Sequence, residues 1–125
     1  MRKIITIIKN RDFEKQIKTL CNNKEYEFHS CSRNFSADYF EIARLILFLH
    51  EDKNIVIICE VLADGNGEEF ILAKYFKQVD IPIIFIVSNF EHASQGLALK
   101  VKTFLHTERF VLLKTAIDNA HWAIY

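Results

Sequence analysis

Two stretches combine residue types that could do chemistry. Residues 55–60, IVIICE, end an apolar run in a thiol and a carboxylate side by side, and the turn-forming Asp64-Gly65-Asn66-Gly67 follows. Residues 3–8, KIITII, run directly into Lys9, Asn10 and Arg11. Ser88 follows a third apolar run, IPIIFIV, and Lys114 ends a fourth, FVLLK. A thiol beside a lysine has a lowered pKa and can serve as a redox or acylation centre, so Cys59 with Lys114 is one candidate pair. The plainer alternative is that Cys59 ends an apolar strand as a small buried hydrophobe. Glu60 or Asp64 could pair with Lys9 and Lys114 and hold a loop in one state. The alternative is solvated surface charge, because an exposed pair contributes only about 0–1 kcal/mol. Lys9, Arg11 and Lys114 could together hold a small anion.

Other chemistry finds little footing. His29, His50, His92, His106 and His121 are scattered without metal-ligand spacing. Cys21, Cys31 and Cys59 are odd in number and contain no CxxC pair, which argues against a disulfide framework or a zinc site. The Asp64 turn lacks the spaced glycines and the lysine of a phosphate-cradling loop. The segment after residue 8 lacks the hydroxyl-rich cradle of a flavin site. No cofactor is expected.

Strands and helices in alternation must position these residues. The β-branched run 55–58 reads as a strand covered on both faces, the apolar run 3–8 as a strand, and 81–87 as another buried strand, with Pro82 near its start, where a missing amide donor is tolerated. Tyr26, Phe28 and Ser30 alternate with Glu25, Glu27 and His29, which predicts a partly exposed strand. Asp12 is the expected cap of a helix carrying Phe13, Ile17 and Leu20, and Ser36 that of an apolar helix ending at residues 50–53. A third helix is expected through Phe70, Ile71, Ala73, Lys74 and Phe76, and a fourth from Ser88-Asn89 through Ala93, Leu97, Ala98, Val101 and Phe104. Residues 109–113 read as a fifth strand and 115–125 as a closing helix. Five βα units give an α/β fold: a doubly wound five-stranded parallel sheet of flavodoxin-like order 2-1-3-4-5 in three α/β/α layers. In such sheets ligands bind beyond the carboxyl ends of the strands, where Lys9, Asn10, Cys59, Glu60, Ser88 and Lys114 are expected to converge.

Length and composition agree with one domain over residues 1–125, half of it apolar and able to bury a sizeable core. Sixteen basic residues balance sixteen acidic ones, so no global field attracts nucleic acid or an anionic membrane. The apolar runs are too short to span a bilayer, and the first ten residues turn polar before a signal-peptide core can form. A cytoplasmic setting is expected.

The segment CEVLADGNG resembles the third strand and following loop of bacterial two-component receiver domains, D-hydrophobic-x-x-P-D-G-x-G. Aligned without a gap, Cys59 stands at the phospho-accepting aspartate, Ala63 at the proline, and Asp64, Gly65 and Gly67 at the loop positions. A one-residue deletion places Glu60 at the acceptor instead. IPIIFIVSN resembles the fourth receiver strand and FVLLKT the fifth, so the resemblance covers nearly the whole chain. It implies that Lys114 stands for the family's lysine, Thr115 for the following proline, Val87 or Ser88 for the hydroxyl residue, and Lys9-Asn10 for the metal-binding acidic pair. Receivers hold magnesium with hard carboxylate oxygens, and Lys9 would repel the ion. No magnesium is expected. The resemblance thus implies a degenerate receiver pocket of Lys9, Asn10, Cys59, Glu60, Val87, Ser88 and Lys114, with no catalytic residue.

The function expected is a non-enzymatic pseudo-receiver acting through protein–protein contact. The alternative is a small thiol- or anion-sensing domain using Cys59 and Lys114. Receivers commonly make homodimer or effector contacts through the fourth helix, fifth strand and fifth helix, here about residues 90–125. Leu97, Val101, Phe110, Trp122 and Tyr125 are the candidate contact residues, and large aromatics are enriched at interface centres.

Overall fold

A computed structural model of the chain describes residues 2–21, 26–30, 39–49, 54–61, 68–87, 104–106 and 113–118. The four longer strands are β1 (Arg2–Ile7), β2 (Tyr26–Ser30), β3 (Ile55–Glu60) and β4 (Ile83–Val87). They pair in parallel in the order β2-β1-β3-β4, with Ile5 opposite Ile57 and Ile57 opposite Ile83. A three-residue segment, β5 (Phe104–His106), continues the parallel pairing beyond β4. The helices are α1 (Arg11–Leu20), α2 (Tyr39–Leu49), α3 (Ile71–Gln78) and α4 (Leu113–Asp118). Among the described residues no helix is long and apolar enough to cross a membrane.

Strand alternation sorts the core into two layers, one on each face of the sheet. Ile5, Ile7, Ile55, Ile57, Cys59, Ile83, Phe85 and Val87 pack with Ile42, Ala43 and Ile46 of α2 and with Leu72, Ala73 and Phe76 of α3. Ile4, Ile8, Val56, Ile58, Ile84 and Ile86 turn the other way, onto Ile17 of α1 and Leu113 and Ile117 of α4. The expected core positions Ile5, Ile7, Ile57, Ile84 and Ile86 are all buried.

Local chemistry sets the junctions. Pro82 lies just before β4, where its carbonyl accepts from Ile57 N at 3.0 Å and its missing donor costs the ladder nothing. At the end of α3, Asp80 takes a left-handed conformation (φ 59°), which its short polar side chain tolerates. Asp80 N then donates to Lys77 O at 3.2 Å and Ile81 N to Phe76 O at 2.9 Å, the paired bonds of a Schellman motif. Buried Ile81 supplies the apolar contact that usually accompanies it.

Several boundaries differ from the sequence expectation. The cap of α1 is Asn10, not Asp12. Asn10 is extended (φ −77°, ψ 109°), its Oδ1 accepts from Phe13 N at 3.1 Å, and its main-chain carbonyl accepts from Glu14 N at 3.0 Å. Asp12 sits instead in the first turn, where a negative charge complements the helix dipole. The strand paired beyond β4 among the described residues is 104–106, so Phe104 is in a strand and not in a helix, while residues 109–112 of the expected fifth strand lie outside the described residues. Leu113, expected to end that strand, is buried in α4, where Ile117 one turn on shares its face. Run length favoured 109–113 as the strand, but the Leu113–Ile117 spacing of four residues also fits one buried stripe of a helix. The helix cap expected at Ser36, the turn from Asp64 to Gly67, and the fourth helix between residues 88 and 103 lie outside the described residues.

Ile57 has apolar neighbours on its own strand face and pairs with β1 and β4, so Ile57→Ala is expected to cost about 2–5 kcal/mol. Denaturant unfolding measures it, and a loss below about 1 kcal/mol would contradict a central, doubly covered β3.

Candidate functional site

Period-two alternation decides which of Cys59 and Glu60 reaches the crevice at the strand ends. Cys59 shares a face with Ile55 and Ile57 and is buried in the layer under α2 and α3. Glu60 emerges half-buried at the end of β3, and its Oε1 accepts from the main-chain N–H groups of Lys9 at 2.8 Å and Asn10 at 3.1 Å. These two successive amides converge on one oxygen just ahead of α1, an anion-holding arrangement filled by the chain's own carboxylate. The strand-end carboxylate thus meets the β1–α1 loop through its backbone. The expected ion pair with the Lys9 side chain is not the contact that forms; Lys9 itself is exposed.

Asn10 works on both sides of this junction. Its N–H is held by Glu60 while its side chain caps α1, so one residue couples the end of β3 to the start of the helix. A second carboxylate ties the same helix to the sheet. Thr6 is fully buried on the face of β1 that meets α1, and its hydroxyl donates to Glu14 Oε2 at 2.9 Å. Ser30 Oγ donates to the same oxygen at 3.0 Å, which adds the end of β2. A buried hydroxyl without such a partner would carry a desolvation cost, so this bond accounts for a threonine within an isoleucine run.

The Cys59 thiol is pushed well above its ordinary pKa, first by burial and then by the negative charges of Glu69 and Glu60. A thiol so placed stays protonated, and its Sγ–H lies 3.6 Å from the Glu60 carbonyl that accepts from it. This opposes the reactive-thiolate reading. Glu69 is the residue that sequence reasoning missed: it is a buried acid in the 3₁₀ turn Glu68–Phe70 leading into α3. Its signal was present, because residues 69, 72, 73 and 76 fall at i, i+3, i+4 and i+7 and all four are buried. Next to it, Phe70 meets Phe85 of β4 edge to face, with ring centroids 4.8 Å apart.

The remaining expected positions are not all brought together. Val87 is buried at the end of β4. Lys114 was expected at the end of a strand, but its backbone lies in the first turn of α4 (Leu113–Asp118). Ser88 lies outside the described residues, as do Leu97, Val101, Phe110, Trp122 and Tyr125. His29 pairs with Glu27 at 3.0 Å along β2. Among the described residues no three His, Cys, Asp or Glu side chains are grouped so as to hold a metal ion. No protein-family model matches the chain, and no curated protein matches it either.

Glu60→Ala removes the shared acceptor of two amides and is expected to cost about 1–2 kcal/mol, less than a fully buried charged hydrogen bond because Glu60 is half-exposed. Glu60→Gln keeps an oxygen acceptor without the charge and should fall between wild type and Glu60→Ala. Unchanged stability together with unchanged amide resonances of Lys9 and Asn10 would overturn the assignment. For Cys59, the folded pKa lies above the unfolded value of about 8.5. Its contribution is therefore complete below about pH 8.5 and is lost as pH rises from there toward the folded pKa, with a limiting slope of about 1.4 kcal/mol per pH unit. Cys59→Ala should flatten the decline of stability above about pH 8.5 relative to wild type, and parallel profiles for the two proteins would contradict the burial.

Proposed function

We propose that this chain is a non-enzymatic pseudo-receiver: a signalling module that keeps a receiver-like, flavodoxin-like sheet of order 2-1-3-4-5 as a scaffold for protein contact. One observation carries the reading. The carboxylate at the end of the central strand is engaged by the Lys9 and Asn10 amides, while the neighbouring thiol lies in the core. A phospho-acceptor must present its oxygen to an incoming phosphoryl group beside a metal that neutralises the developing charge. Here Lys9 and Asn10 stand where the receiver resemblance puts the metal-binding acidic pair. The parallel sheet with helices on each face supports the scaffold part of the proposal.

The competing sensor built on Cys59 and Lys114 draws less support. Burial keeps the thiol protonated, and Lys114 belongs to α4 rather than to a strand end. The proposal places the module in the cytoplasm, with a protein partner or a second copy as ligand and with no role for nucleic acid, membrane or magnesium. The contact surface it assigns is residues 90–125, with Trp122 and Tyr125 as anchors, on the receiver resemblance and the aromatic composition of that segment.

Acetyl phosphate with magnesium is expected to leave the intact mass of the protein unchanged, and a covalent phosphate would end the pseudo-receiver reading. For the contact surface, Trp122→Ala is expected to weaken self-association or partner binding more than folding, measured by analytical ultracentrifugation alongside denaturant unfolding. A monomer at high concentration with no co-purifying partner would refute that surface, as would a variant that loses stability without any change in association.

A further inference from the structure

We draw no further inference here: the strongest candidate, the pair of main-chain amides of Lys9 and Asn10 ahead of α1 that holds the Glu60 carboxylate, belongs to the site already described, and nothing in the structure points to a ligand for it other than the chain's own side chain.

Discussion

Ile55, Val56, Ile57, Ile58 and Cys59 are all buried, so β3 has to be covered by apolar side chains on both faces and hydrogen-bonded along both edges. The parallel sheet with helices on each face meets that demand. Burying the four aliphatic residues of the run contributes on the order of 6–12 kcal/mol before chain entropy is subtracted. That is comparable with the whole net stability of an ordinary domain, about 5–15 kcal/mol. The polar contacts at the strand ends are worth about 1 kcal/mol each. They cannot hold the fold; they set the geometry of the loops that the fold delivers to one edge.

Because β3 cannot turn without exposing a face, the orientation of its last two residues is fixed. Cys59 continues the Ile55–Ile57 side and Glu60 the Val56–Ile58 side, toward β1 and the head of α1. The thiol's burial and the carboxylate's engagement are therefore two outcomes of one alternation. Glu69, in the 3₁₀ turn ahead of α3, adds to the first outcome: its negative charge near the thiol opposes forming a second one. Glu14 has the parallel role on the opposite face, where it joins Thr6 and Ser30 and keeps α1 seated over the ends of β1 and β2.

The parts of this arrangement legible in the sequence are those written in long apolar runs. Residues 3–8, 55–58 and 81–87 each give a strand within two residues of its expected bounds, because a short apolar run rich in β-branched residues and bounded by polar turns favours a strand. Short polar signals were harder to rank. Asn10 and Asp12 are both good caps, and the choice fell to Asn10 because Glu60 holds its backbone from fifty residues away, which no local pattern reveals. Glu69 was hidden by its type, since a glutamate in a charged turn reads as solvated even when it sits on the buried stripe of the next helix. The 104–118 region misled for the opposite reason: FVLLK fits a strand by composition and a helix by the spacing of Leu113 and Ile117. The site expectation inherited that error through Lys114.

What Glu60 does as an acceptor bears directly on the proposed loss of phosphoryl chemistry. Its bonds to Lys9 N and Asn10 N are charge-assisted, and such bonds are roughly twice as strong as neutral ones. Transfer of a phosphoryl group from a donor such as acetyl phosphate, with acetate as leaving group, would make the carboxylate an acyl phosphate, turning a charged acceptor into a neutral acyl oxygen and weakening both bonds. It would also replace one negative charge by the larger charge of a phosphoryl group, near a thiol whose pKa burial, Glu69 and Glu60 already raise. The loop amides and the cap of α1 would have to reorganise together, because Asn10 belongs to both. On the proposed reading Glu60 fills the same seat permanently with one charge of the chain's own, so the β1–α1 loop is held in a single arrangement and regulation passes to whatever protein docks on the scaffold.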